Sequence, residues 1–289
     1  MEIRYEGDRF VAVVDGAVVA ESKNRDYLKR KIKDMAAALP QAKKAVEEFA
    51  INDRFTFTEQ LVKMVARGET ASCVITGEGG LGKSYSVMKA LRDSGLQDVS
   101  ELPIGTTLTG SRKYYRVIKG FSTAKGLYRI LFENQTGILV FDDCDSILKD
   151  PDATNLLKGA LDSYDKRYIT WNTSIADDGI PRSFEFKGGV IFISNMDSDR
   201  ISQAIRSRAM NVDLSMNLDQ KIERMETIME SDEFLPMINL EYKRDALNVI
   251  RQNKGLAREV SLRTLINVAK IRNSGEKNWE SLAKYMLVN

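Results

Sequence analysis

The chain has 289 residues, of which 43% are hydrophobic and 29% charged, as in a soluble globular protein with one large and one small domain. Its net charge of +2 does not argue for a nucleic-acid partner, and the absence of histidine excludes histidine-based catalysis and histidine-ligated zinc. No apolar run is long enough to cross a membrane or to form a signal peptide, and the two cysteines indicate a reducing compartment, so we expect a cytoplasmic protein without a membrane partner.

The N-terminal segment, residues 1–40, predicts a small ββα unit. Apolar runs at residues 10–14 and 17–20 are separated by an Asp-Gly dipeptide, which is typical of two-residue hairpin turns. A helical pattern follows over residues 24–35. Its three cations at four-residue spacing are Arg25, Lys29 and Lys33. This spacing places them on one stripe, to which a polyanion could bind.

After two further helical patterns, at residues 42–49 and 58–66, strands and helices alternate. The predicted strands cover residues 72–76, 113–118, 137–142, 189–194 and 210–214, and the helices between them cover 83–93, 124–134 and 152–164. The strands at 137–142 and 189–194 are continuous apolar runs, as in strands covered on both faces of a parallel sheet. Residues 41–215 are therefore predicted to form an α/β domain around a parallel five-stranded sheet with flanking helices.

The strands stop after residue 215, and the remaining pattern is purely helical. Apolar residues recur at helical spacing over four stretches, 218–230, 240–252, 260–272 and 279–287. Residues 216–289 are therefore predicted to form a small all-α domain.

The strand at 72–76 is followed by a complete phosphate-binding loop of the form G-x-x-x-x-G-K-S, here called the P-loop. It consists of Gly77, Glu78, Gly79, Gly80, Leu81, Gly82, Lys83 and Ser84, and Tyr85 follows it. A strand before and a helix after the loop form the setting in which backbone N–H groups wrap a polyphosphate. We expect Lys83 to be solvated and to reach the β- and γ-phosphates, and Ser84 to hold Mg²⁺. The sequence therefore predicts that residues 77–85 bind ATP and Mg²⁺.

Polar side chains also follow two of the apolar strands. Asp142 and Asp143 end the strand at 137–142; in P-loop enzymes the first such carboxylate helps to hold Mg²⁺, and a neighbour can orient the attacking water. Asn195 follows the strand at 189–194. Because ligands bind at the carboxyl ends of open α/β sheets, we expect Asn195 to contact the γ-phosphate or the attacking water. A surface aspartate pair and a turn asparagine are the alternatives.

Three arginines in the C-terminal half are further candidates. Arg206 and Arg208 are two residues apart and can project a guanidinium away from the domain, a group that suits a phosphate better than an ammonium. Arg263 lies at a predicted helix start. For all three, a solvated basic helix end is the alternative.

Together these motifs resemble the AAA+ ATPase family over residues 50–289, and residues 199–210 are similar to its clamp-loader and helicase-loader members. The resemblance implies that the final helices form a lid over the nucleotide. It makes Asn195 the first sensor and Arg263 the second. It also implies that Arg208, in preference to Arg206, is an arginine finger that completes the site of a neighbouring subunit.

The resemblance also assigns roles to the acidic residues. Asp142 becomes a metal ligand and Asp143 the base that activates water, although the family usually has glutamate at that position. Asp145 is the reserve candidate for the base.

Two segments resemble substrate-handling elements of the family. Residues 118–121, with Lys119 and Phe121, lie where many AAA+ rings have a pore loop, although its usual aromatic pattern is only partly kept. Residues 168–171 and 183–186 resemble an inserted hairpin; its aromatic side chains also fit ordinary cross-strand packing.

The resemblance implies an ATP-hydrolysing motor or loader, because an arginine finger needs a neighbour. We expect a homo-oligomer, as a hexameric ring, that remodels or moves a macromolecule. DNA or a DNA-bound assembly is the favoured substrate. Lys119 in the pore-loop segment supports a polyanion, and a merely solvated Lys119 is the alternative. A protein client, or a nucleotide-regulated binding module with weak turnover, is the alternative. The single-module chain also resembles phage-encoded ATPases.

Overall fold

The first strands of the chain form an antiparallel sheet in the order β1-β2-β3. The computed structural model describes residues 2–6, 9–14, 17–31, 48–103, 106, 113–120, 123–171 and 179–289. The chain divides into two compact units, Met1–Ala50 and Ile51–Asn289. In the first unit the strands are β1 (Glu2–Glu6), β2 (Arg9–Val14) and β3 (Ala17–Ser22), and helix α1 includes residues 25–31.

The β2–β3 hairpin confirms the turn predicted from the Asp-Gly dipeptide. Among its described residues the unit has one strand more than the predicted ββα pattern, because Glu2–Glu6 form β1, which pairs with β2. Ala12, Ala20 and Leu28 form its small buried cluster. Lys33 of the predicted basic stripe and the helix predicted at 42–49, apart from its last two residues, lie outside the described residues.

The second unit is built on a parallel sheet in the order β11-β4-β10-β7-β6-β5. The strands are β4 (Ser72–Thr76), β5 (Gln97–Asp98), β6 (Tyr114–Lys119), β7 (Ile138–Asp142), β10 (Gly189–Ile193) and β11 (Met210–Asp213). The predicted α/β fold class is confirmed, and the two-residue strand β5 adds a sixth strand at one edge. All residues of β4, β7 and β10 are buried, as the continuous apolar runs predict.

Helices cover both faces of this sheet. They are α2 (Ile51–Arg67), α3 (Lys83–Asp93), α4 (Ala124–Glu133), α5 (Asp145–Lys149) and α6 (Pro151–Ala160). Alternate residues of the central strands belong to two hydrophobic clusters, one packed with α2 and α3 and the other with α4, α5 and α6. Phe141 and Phe192 stack within the second cluster, with ring centroids 5.3 Å apart. The predicted helix 152–164 begins at Pro151, after the Asp150 cap, and ends earlier, at Ala160.

The hairpin predicted before β10 is present as β8 (Tyr168–Thr170) paired with β9 (Ser183–Glu185). Its Phe184 is buried, with its ring centroid 5.2 Å from that of Tyr128 and 5.3 Å from that of Phe132. Tyr168 is exposed. Phe184 is therefore a packing residue, as the alternative interpretation of the hairpin held.

The C-terminal part of this unit is helical, as predicted. After the short helix α7 (Gln203–Arg206) and β11 come α8 (Leu218–Met229), α9 (Leu240–Asn253), α10 (Leu262–Asn273) and α11 (Trp279–Val288). These last four helices share a hydrophobic cluster of their own. The side chains of Asn217, Asn239 and Ser261 accept hydrogen bonds from backbone N–H groups in the first turns of α8, α9 and α10, and so cap these helices.

Candidate functional site

The order of the sheet brings the predicted site residues together. Strand β10 lies between β4 and β7 and pairs in parallel with both. The carboxyl ends of these three strands therefore meet at one edge. There the P-loop follows β4, Asp143 follows β7, and Asn195 lies just beyond β10.

The P-loop backbone depends on glycine at two points. Gly77 has φ +130°, and a Cβ there would lie 2.8 Å from the carbonyl carbon of Leu214. Gly82 has φ +92° and is the N-cap of α3. Because glycine has no side chain to cap the helix, the first N–H groups of α3 keep their capacity to bind an anion.

Lys83 is buried at the centre of the loop, with 4% of its surface exposed. Its ammonium donates to the carbonyls of Gly77 and Glu78, both at 2.6 Å, and to Asn195 Oδ1 at 3.0 Å. Burial lowers its pKa to about 8, against the opposing effect of nearby carboxylates, Asp143 first. The expectation of a solvated Lys83 was wrong, because the loop carbonyls and the neighbouring strand enclose the ammonium.

Ser84 and Asp142 form the candidate metal position. Ser84 Oγ donates to Asp142 Oδ1 at 2.8 Å, and Asp142 has 4% of its surface exposed. A hydroxyl and a carboxylate beside a phosphate-binding loop are hard oxygen donors, which Mg²⁺ prefers, with phosphate oxygens completing its shell. Within the described residues, no group of three or more acidic, histidine or cysteine side chains could hold a metal by itself. The residues present therefore fit a nucleotide-borne Mg²⁺.

The second oxygen of Asp142 has a cationic partner. Lys119 Nζ lies 3.3 Å from Asp142 Oδ2, and the two residues are opposite each other in the β6–β7 register. The predicted pore-loop lysine thus points to the nucleotide edge of the sheet. Phe121 lies outside the described residues.

Asp143 has a left-handed backbone with φ +57°, which is uncommon for a residue with a side chain and recurs at functional sites. Its N–H donates to Ile193 O, and its Oδ1 accepts from Asn195 Nδ2 at 2.6 Å. Asn195 therefore bridges Lys83 and Asp143 with the two ends of one amide. The reserve candidate, Asp145, accepts from Ser194 Oγ at 2.6 Å.

The helical region contacts the P-loop directly. The N–H of Leu262, the first residue of α10, donates to Gly80 O at 2.8 Å. Arg263 is therefore one residue from a P-loop contact, with an exposed side chain.

Two side-chain pairs also link the helical region to the P-loop and the residue after it: Lys221 of α8 with Glu78, and Tyr85 with Glu233.

The two finger candidates differ in their partners. Arg206 forms an ion pair with Asp199 at 3.5 Å. Arg208 is exposed, and its guanidinium donates to the backbone carbonyl of Ala204 at 3.0 Å. The guanidinium of Arg206 thus faces a carboxylate of its own chain, whereas that of Arg208 faces an uncharged group.

Sequence reasoning missed two cations at this edge, Lys119 as the partner of Asp142 and Lys221 as the partner of Glu78. Lys119 stands at the end of β6, next to β7, and this position indicates its pairing with Asp142 only once the register of the two strands is known. For Lys221 the sequence carried no signal, because the contact depends on how α8 packs.

One curated relative of the chain is a phage protein. No protein-family model matches it. The structure is similar to that of a RuvB mutant from Thermotoga maritima, with a TM-score of 0.46 and 14% identity over 84% of this chain and 72% of that one, values too low to transfer any property. The uncharacterized 36.7 kDa protein of the nrdC–mobD intergenic region of Enterobacteria phage T4 is 32% identical over 251 residues, covering 81% of this chain and 73% of that protein. No helix in the described part of the chain is long and apolar enough to span a membrane. The chain has an α/β fold with a parallel sheet and a P-loop between β4 and α3, and it belongs to the family of that T4 protein.

Proposed function

We propose that the chain is an AAA+ ATPase that hydrolyses Mg–ATP and uses the energy to remodel or move a macromolecule. The observation that carries this proposal is the linked set Lys83, Asn195 and Asp143, beside Ser84 and Asp142, at the ends of three adjacent strands. These are the side chains that phosphate binding, metal holding and water activation require, at one edge of the sheet.

Each residue has a distinct role in this proposal. Lys83 binds the β- and γ-phosphates, and the N–H groups of the P-loop and of α3 surround the phosphates. Mg²⁺ on Ser84 and Asp142 would neutralise charge on the phosphates. Asp143 orients the attacking water, and Asn195 holds Asp143 in place and contacts the γ-phosphate. Further residues act from the edges: Arg263 from α10 and Arg208 from a neighbouring subunit of a ring, for which a hexamer is our expected form.

We favour DNA or a DNA-bound assembly as the substrate. Helix α1 supports this choice, because Arg25, Lys29 and Arg30 are exposed cations on a short segment, as in surfaces that contact phosphates without reading sequence. A protein client is the main alternative. A nucleotide-regulated binding module with weak turnover is favoured by one contact: Asn195 Nδ2 engages Asp143, which is one methylene shorter than the glutamate usual in AAA+ enzymes.

Lys83→Ala tests the proposal. This variant should lose nucleotide-dependent ATP hydrolysis and keep its circular dichroism spectrum. Lys89→Ala is the matched control, since Lys89 lies on the same helix and pairs with Asp93 outside the loop. Wild-type hydrolysis by Lys83→Ala would refute the assignment.

The substrate is tested by the wild-type rate in the presence of single-stranded DNA, double-stranded DNA or an unfolded protein. Stimulation by either DNA supports a DNA motor or loader, and stimulation by the unfolded protein alone favours a protein client. Tight ATP binding with slow, unstimulated turnover favours the binding module.

A further inference from the structure

Lys119 contacts the same carboxylate, Asp142, that is proposed to bind Mg²⁺. Asp142 is almost fully buried, so its charge needs compensation. Ser84 supplies a neutral hydroxyl to Oδ1, and Lys119 supplies a cation to Oδ2 at 3.3 Å. Lys119 is therefore the charged partner of the candidate metal ligand.

The exposure of the two partners is unequal. The side chain of Lys119 is 67% exposed, whereas that of Asp142 is 5% exposed. An exposed lysine ammonium can return to water on its flexible stem at little cost, because water then solvates it in place of the carboxylate. The carboxylate cannot follow it, so a second cation that arrives at Asp142 can take the place of Lys119.

We propose that Lys119 competes with Mg²⁺ for Asp142, so that metal binding releases the lysine from the carboxylate. The inference rests on the proposed function and adds a residue that sets the metal affinity of the site. It also has a structural consequence. Lys119 is the last residue of β6, Gly120 follows with φ +90°, and α4 begins at Ala124. We therefore expect metal binding to change the end of β6, where Lys119 stands.

The test measures how strongly Mg²⁺ tightens the binding of a fluorescent, non-hydrolysable ATP analogue, as the ratio of dissociation constants in EDTA and in Mg²⁺. In Lys119→Ala this ratio should rise about twofold to fivefold, the size expected when the metal no longer has to displace one ion pair with an exposed lysine. The difference should shrink in about 1 M salt, where the Debye length is about 3 Å. Lys119→Arg keeps the charge and should retain the wild-type ratio.

Lys187→Ala is the matched control. Lys187 pairs with Glu185 at 3.2 Å and its side chain is 63% exposed, so it repeats the exposure and the ion pair of Lys119 away from the P-loop. Its ratio should equal that of the wild type. An unchanged or lower ratio in Lys119→Ala, with nucleotide binding by the wild type intact, overturns this inference alone. No nucleotide binding by the wild type overturns the proposed function and this inference with it.

Hydrogen exchange gives a readout without turnover. Adding Mg²⁺ to the nucleotide-loaded wild type should change amide exchange in peptides that span β6 and the start of α4. In Lys119→Ala the change should be lost, because no ammonium is left to be released. An equal change in both proteins would refute the proposed effect of metal binding at the end of β6.

Discussion

The carboxyl edge of the sheet and the segment before β11 use their charged groups in opposite ways. At the edge, Lys83 donates all its hydrogens within the chain, and Asn195 connects it to Asp143. Before β11, Arg208 is exposed and donates to one backbone carbonyl. One chain thus assembles the phosphate-binding half of the proposed machinery, whereas Arg208 presents a charge that a second copy could use.

Arg208→Ala should have the largest effect on ATP hydrolysis of the variants outside the P-loop. If Arg208 serves a neighbour, its loss should slow hydrolysis by about 10³-fold or more, as arginine fingers do in phosphoryl transfer. Nucleotide binding should change little, because the finger acts on the transition state. Arg206→Ala is the control, since its guanidinium is paired with Asp199.

Mixing Arg208→Ala with Lys83→Ala subunits tests whether the finger acts in trans. Each interface that joins an intact loop to an intact finger should recover hydrolysis. Mixed rings that form and stay inactive at every ratio would argue against a trans role. A larger loss of hydrolysis in Arg206→Ala than in Arg208→Ala would assign the finger role to Arg206 instead.

Steady-state kinetics should distinguish the roles of the two carboxylates at the edge, Asp142 and Asp143. Asp143→Asn should keep ATP binding and lower kcat by about 10²-fold or more, the usual contribution of a positioned base. Asp142→Asn should instead weaken the use of Mg²⁺, because it removes the negative charge that would hold the metal while its amide oxygen can still accept from Ser84 Oγ. Steady-state kinetics at several Mg²⁺ concentrations check this, and equal effects of both variants on nucleotide binding would contradict the division of roles.

The sequence predicted the strands and the residues at their carboxyl ends far better than the contacts made around them. Each predicted strand of the parallel sheet is found within one or two residues, because continuous apolar runs bounded by polar residues are a local signal. Convergence of Lys83, Asp143 and Asn195 followed from where those residues stand relative to strand ends. Burial of Lys83, the Lys119–Asp142 pair and the contact of α10 with Gly80 did not follow, since they depend on register and helix packing.

The burial of Lys83 predicts that the affinity for ATP falls by up to about tenfold for each pH unit above 8. Its pKa is lowered from 10.5 to about 8, so the ammonium loses its proton as the pH rises through 8. ATP binding requires the charged form, and affinity should therefore fall by up to about tenfold per pH unit above 8. Between pH 8 and 10.5 the unfolded chain holds this proton more tightly, so this group's contribution to stability rises with pH there.

Binding of a fluorescent ATP analogue from pH 7 to 9.5 checks this prediction. Any residual affinity of Lys83→Arg should be flat over the same range, because a guanidinium keeps its proton. A wild-type affinity that is independent of pH would indicate that the phosphates find a fully charged lysine throughout.

The smallest expected effect concerns the link between the helical region and the P-loop. Lys221 of α8 pairs with Glu78, and its side chain is 12% exposed while that of Glu78 is 59% exposed. A partly exposed ion pair contributes up to about 1 kcal/mol, so Lys221→Ala should raise the KM for ATP by about twofold to fivefold and leave kcat nearly unchanged. Lys254→Ala is the matched control, because Lys254 pairs with Asp219 at the start of the same helix without touching the loop. A change in kcat, or an equal change in KM in both variants, would mean that Lys221 acts on the chemical step or only on the stability of α8. The predicted KM effect would instead show that the helical region tunes nucleotide binding while the strand edge carries out the chemistry.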